Sequence, residues 1–253
     1  GISTIFHEPP NILHYGTKNT GMEIRPGMTF TIEPMINAGK FGVKMLNDGW
    51  TAVTKDKSLS AQFEHTIGIT ENIKEGVSTA YIDKLGYEFI RDNGGYSAPL
   101  YYRGFTKSLC TSLNHVVCHG VPSENRILVE GDALNVDITA IINDHYGDTS
   151  RMFCIGKTSV KLNNLVNATY ESMMAAIKIL KPGIKLGDIG HEIQSYVEER
   201  GFSVVKDFCG HGIGTVFHES PNILHYGTKN TGIGLKPGMT FTIEPMINPG
   251  KFG

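Results

Sequence analysis

The chain has 253 residues, 40% of them hydrophobic and 19% charged, with a formal net charge of -2. That length is ample for one domain with a sizeable core, and the near-neutral balance shows neither a basic stripe for nucleic acid nor an acidic tail. No apolar run approaches a membrane span and no signal peptide is read, while the four cysteines (Cys110, Cys118, Cys154, Cys209) fall in no zinc or redox spacing; a cytoplasmic protein with reduced thiols is expected.

The first segment, Gly1 to Gly42, recurs as Gly212 to Gly253 with eight differences, among them Pro9/Ser220 and Ala38/Pro249. The spacing is about that of a whole domain, unlike the 20–50 residues of stacked repeats. Next, Gln62 to Thr70 alternates Phe63, Ile67 and Ile69 with a polar set holding Glu64 and Thr66, which predicts a half-buried strand. Two stretches share a pattern at a constant offset of 107, 183 minus 76: Gly76-Val77, Ile82, Phe89-Ile90 and Gly94 align with Gly183-Ile184, Ile189, Tyr196-Val197 and Gly201. Both read as amphipathic helices with a glycine stop. A third long helix is predicted over Asn163 to Leu180, ended by Lys181-Pro-Gly. Helices followed by antiparallel strands, twice over, give an α+β fold of two related halves with a site between them.

Carboxylates recur in settings that suit metal coordination. Asp137 in Asn135-Val-Asp and Asp148 in Tyr146-Gly-Asp flank a turn at Asn143-Asp144 and are expected to pair directly across a hairpin. Two like charges so placed repel unless a cation lies between them. Glu64 and Glu244 stand on the polar faces of predicted strands, the latter in Thr240 to Met246 with Phe241 and Ile243 toward the core. His211 sits in Cys209-Gly-His-Gly, where glycines permit close approach. Four carboxylates with one imidazole suit manganese, iron, cobalt or zinc. The charge exceeds what one divalent ion balances, so two are expected, with hydrolysis by a bridging water as the chemistry.

Val117-Cys-His-Gly, Asn135-Val-Asp, Gly147-Asp-Thr-Ser, Cys209-Gly-His-Gly-Ile-Gly, Phe217-His-Glu, Pro237-Gly-Met-Thr-Phe-Thr-Ile-Glu-Pro-Met, Asp48-Gly-Trp-Thr and Ser60-Ala-Gln-Phe-Glu-His-Thr together resemble type I methionine aminopeptidase. The resemblance implies the pita-bread (creatinase/aminopeptidase) fold, a dinuclear centre, and removal of the initiator methionine when the second residue is small. It implies metal ligation by Asp137, Asp148, His211, Glu244 and Glu64, with Asp148 and Glu64 bridging. His119 and His218 would contact the substrate amide and its tetrahedral intermediate, Glu244 would also handle a proton, and Tyr102, Phe105, Cys110, Phe217 and Trp50 would line the methionine pocket. Nascent-chain N-termini and the ribosome are the implied partners. His115 stands where the family usually has an acid, and Pro99 and Phe105 where bacterial members often carry cysteine and tyrosine.

Against the family order the chain reads as one permuted domain over residues 1–253, lacking the first helix, with 1–42 and 212–253 as duplicate copies of one segment. His7, Glu33 and Phe6 duplicate His218, Glu244 and Phe217, whereas Asp137, Asp148, His211 and Glu64 occur once. One copy is therefore spare, and the second, continuous with His211, is expected to work, with His7, Glu33 and Phe6 of the first as the alternative. A spare copy invites self-association. Two other functions stay open: a proline-specific aminopeptidase or creatinase-like hydrolase, and a non-catalytic pita-bread binding module.

Overall fold

In the computed structural model, which describes residues 13, 17, 20, 22, 29–32, 35–37, 40, 42–47, 52–57, 60–62, 65–68 and 72–250, the chain divides into two units, Gly1–Glu71 and Asn72–Gly253. The first contains β1 (Thr29–Ile32), β2 (Met35–Asn37), β3 (Val43–Met45), β4 (Ala52–Thr54), β5 (Ser60–Gln62) and β6 (His65–Gly68). They form antiparallel pairs: β1 with β6, β2 with β5, β3 with β4. The strand predicted over residues 62–70 thus contributes Gln62 to β5 and His65–Gly68 to β6. Glu64, Trp50, Phe6, His7 and Glu33 lie outside the described residues.

The second unit opens with α1 (Thr79–Asp92) and β7 (Tyr96–Ser97), then β8 (Cys110–Leu113), β9 (Ala133–Ile142) and β10 (His145–Cys154). It continues with α2 (Val160–Lys178), α3 (Leu186–Glu198), β11 (Phe202–Val204), β12 (Gly210–Gly212), β13 (Glu219–Ile223) and β14 (Ile247–Pro249). The helix predicted over 163–180 begins earlier, because the Ser159 hydroxyl accepts from the Leu162 N–H and caps it there. Ser78 caps α1 in the same way.

The internal symmetry is real in space. Gly76 donates to the Leu128 carbonyl and Gly183 to the Leu235 carbonyl, and Leu128 and Leu235 donate back to Val77 and Ile184; each pair is related by 107, as 183 minus 76 and 235 minus 128. Gly94 and Gly201, which follow α1 and α3, have φ of 76° and 77°, the left-handed conformation that glycine adopts without strain. Each half has its own core. Ile82, Leu109, Leu128 and Leu134 centre one, while Ile189, Ile193 and Val197, at a spacing of four along α3, pack with Ala176, Val204 and Ile223 in the other.

β9 is the central strand, with β10 along one edge and β8 and β7 along the other. Asn143 and Asp144 have φ of 50° and 62°, as a two-residue type I′ turn requires. That turn centres the hairpin between 143 and 144, so Asp137 faces Ser150 and Asp148 faces Thr139. The direct Asp137–Asp148 pairing expected from the sequence is therefore incorrect. Moving the hairpin centre by one residue shifts partners by two, which keeps both acids on one face as diagonal neighbours. The strand expected over 240–246 also differs: Phe241 makes a single bridge to Gly212, and the ladder begins only at β14, paired with β11. Phe241 and Ile243 nonetheless pack against the second core.

Candidate metal centre

Main-chain and hydroxyl contacts bring the acids to His211. β12 is buried along its length, and its glycines allow that: a Cβ at Gly210 would lie 2.4 Å from the Thr242 carbonyl oxygen, and one at Gly212 would lie 2.5 Å from that of Ser220. The Thr242 N–H donates to the His211 carbonyl at 2.8 Å. The Thr242 hydroxyl accepts from the His211 N–H at 3.0 Å and donates to Glu244 Oε1. Across the site, the Thr139 hydroxyl donates to Asp148 Oδ1 at 3.0 Å. His211 Nε2 ends 3.5 Å from Asp148 Oδ2 and 3.7 Å from Glu244 Oε1.

The His211 Nδ1–H donates to the Gly212 carbonyl, 3.0 Å away, so in the neutral ring Nε2 carries the lone pair toward two carboxylates. Only a proton or a cation between them relieves that arrangement. Burial pulls the imidazolium down, but the hydrogen bond to Asp148, the Gly212 carbonyl and the Glu244 charge together raise it. Burial, then the charges of Asp148 and Glu244 and a hydrogen bond to Asp148, push Asp137 up to about 7, with His211 opposing. Burial raises Glu244 as well, against the Thr242 hydroxyl. Among the described residues no three of these groups close round one point at ligating distance. Their chemistry nevertheless fits a divalent metal: hard oxygens plus one imidazole whose tautomer is set from behind, at a site where burial disfavours the bare charges of Asp137 and Glu244.

Beside this cluster lies an aromatic group. His218 packs on His211, ring centroids 4.2 Å apart, and on Phe217 at 4.1 Å. Its Nδ1 is 3.1 Å from the Tyr102 hydroxyl. Burial, then the charge of His211, lowers His218 below the usual imidazole range. Tyr102 touches Phe217 at 5.0 Å, and Tyr146 stacks on the same ring at 5.4 Å and 17°. Cys110 faces Asp137 across the β8–β9 ladder, and burial first, then the Asp137 charge, pushes its thiol up to about 12. His119, exposed and in the left-handed region at φ 54°, meets Phe208 edge-on at 5.7 Å. Phe105 closes the Tyr102–Gly104 turn and makes none of these ring contacts among the described residues.

Thr242, Thr139, Tyr146 and His225 also stand at the site, though no motif singles them out in the sequence. Three stand two residues from a candidate ligand, the spacing that puts neighbours on one strand face, so Thr242 beside Glu244, Thr139 beside Asp137 and Tyr146 beside Asp148 carried a usable signal. His225, whose Nε2 accepts from the Glu244 N–H at 3.1 Å, carried none.

The metallopeptidase family M24 profile matches residues 1–71 and 68–253. The chain is 50% identical to methionine aminopeptidase of Rickettsia prowazekii over 184 residues, 73% of this chain and 71% of the relative. With methionine aminopeptidase of Escherichia coli (strain K12) it is 49% identical over 180 residues, 71% of this chain and 68% of that one. The crystal structure of the Rickettsia prowazekii protein superposes with a TM-score of 0.71, covering 73% of this chain and 74% of that one. A prolidase from Pyrococcus furiosus aligns at 26% identity and a TM-score of 0.59, covering 72% of this chain and 52% of that one.

Proposed function

The chain belongs to metallopeptidase family M24, among its methionine aminopeptidases of pita-bread fold, and we propose that it releases the N-terminal methionine of peptides and nascent chains whose second residue is small. The observation that carries this reading is His211 Nε2 facing Asp148 and Glu244 at 3.5 and 3.7 Å beside a group of packed aromatic rings. Asp137, Asp148, His211 and Glu244 would hold metal, with Glu64 as the fifth ligand. Two ions drawn from manganese, cobalt, iron or zinc match that charge, and when bound they supply Lewis acidity and an acidified water.

The chain's own residues do the rest. Phe217, Tyr102 and Cys110 offer the thioether a polarisable, apolar contact surface. His218, kept neutral and steadied by Tyr102, can donate a hydrogen bond to the carbonyl oxygen as charge develops there. His119 would meet the substrate amide, and Glu244, raised by burial, can take up and return a proton. The second copy of the repeat is the working one in this reading, since Thr242 joins Glu244 to His211 and the Phe217 and His218 rings lie against His211. His7, Glu33 and Phe6 would be spare. A cytosol-like compartment, ribosome proximity and self-association through residues 1–42 complete the proposal; among the described residues no helix is long and apolar enough to cross a membrane.

Purified protein supplied in turn with each metal is expected to cleave methionine from Met-Gly and Met-Ala peptides faster than it cleaves any Xaa-Pro peptide. Glu244→Ala is expected to lower that rate by about a hundredfold or more. Faster turnover of Xaa-Pro substrates, or none of Met-Gly with any metal, would overturn the assignment.

A further inference from the structure

We propose that His225 is a positioning residue, one that sets the main chain of Glu244 and through it the aim of the Glu244 carboxylate. The inference rests on Glu244 being a metal ligand. Glu244 lies between two β tethers but in neither ladder: the Thr242 N–H bonds to the His211 carbonyl, and the Met246 carbonyl accepts from the Val205 N–H. Between them the Glu244 N–H donates to His225 Nε2 at 3.1 Å. Pro245 follows and brings no N–H of its own. Among the described residues the imidazole is thus the one tether on the Glu244 main chain, while Thr242 holds its carboxylate.

His225 is placed for this and for little else. It is wholly buried, two residues past Ile223, which opposes Gly210 in the β12–β13 pair. Its loop is pressed onto α3, where a Cβ at Gly190 would lie 2.3 Å from the Tyr226 carbonyl oxygen, and the Gly227 N–H reaches Gln194 Oε1 at 3.2 Å. With Nε2 accepting, the proton sits on Nδ1, which has no hydrogen-bond partner among the described residues. A buried donor without an acceptor is costly. An apolar residue would fill the space without that cost, so what the imidazole contributes is the bond to Glu244.

Three measurements test this. In uniformly 15N-labelled, metal-free protein, His225 should show a protonated Nδ1 and a bare Nε2; the opposite tautomer overturns the proposal whether or not any variant folds. Titration with Co(II), followed by visible absorption, should give His225→Leu an affinity weakened about tenfold to a hundredfold with an altered spectrum. His225→Gln, whose amide oxygen can accept in place of Nε2, should restore the affinity to within about threefold of the parent, as a tethering role requires. Unchanged Co(II) binding in the leucine variant, or equal losses in both, overturns it. Glu244→Gln tests the underlying reading separately: if that variant binds Co(II) like the parent, Glu244 is no ligand, and the tautomer still decides whether His225 holds its main chain.

Discussion

Burial gives His225 a pH signature separate from its tether. Desolvation lowers its pKa from 6.5 to about 4, so between those values the unfolded chain binds a proton that the folded chain does not. Stability therefore falls as pH drops from about 6.5 to about 4 and stops falling below that. The full loss is roughly 3 kcal/mol, at 1.36 kcal/mol per unit. Urea unfolding of the parent and of His225→Gln at pH 7 and pH 4.5 is expected to show the parent losing more on acidification by that order; equal losses would mean that the ring is more solvated than its position implies. At this scale legibility was uneven. Asp137, Asp148 and His211 stood out because each sits in a short motif that carries its own chemistry. His225 did not, because its contact joins residues 225 and 244 and no local pattern encodes that pairing.

Between elements, a tight constraint holds α3 against the loop after β13. At most helical positions Gly→Ala gains about 1 kcal/mol of helix propensity. At Gly190 the added carbon would lie 2.3 Å from the Tyr226 carbonyl oxygen and 2.7 Å from that of Leu224, and backbone atoms cannot swing aside. Gly190→Ala is expected to destabilise by about 1–3 kcal/mol, read as a lower urea midpoint at constant m; a raised midpoint would show that the helix and loop can separate freely. The helices themselves were readable from apolar spacing and glycine stops, since both signals are local. The hairpin was readable only to its face. Its register depended on both Asn143 and Asp144 taking positive φ, which composition permits but does not require. Thr240 to Met246 alternates like a strand, yet β tethers bind it only near its ends, through Gly212 of β12 at Phe241 and the Val205 N–H at Met246, so most of it lies outside a ladder.

For the molecule as a whole, the repeat makes the decisive comparison. Only one set of Asp137, Asp148 and His211 exists for two copies of the Glu33/Glu244 segment. A metal bound at a hundred times its Kd stabilises the folded state by about 2.7 kcal/mol. Thermal unfolding with and without Co(II) is expected to show that gain in the parent and in Glu33→Ala, and its loss in Glu244→Ala. The reverse pattern would make the first copy the working one.

By itself the sequence determined the family, the chemistry of the donor set and the two-fold layout of the helices, because motifs, charge and apolar periodicity are written in neighbouring residues. Tertiary structure alone decided which atoms meet. The diagonal placement of Asp137 and Asp148, the Thr242 link between His211 and Glu244, and the His225 tether join residues that are distant in sequence or separated by a turn. Such contacts follow from backbone conformation and packing, which a linear pattern constrains only after the chain has closed on itself.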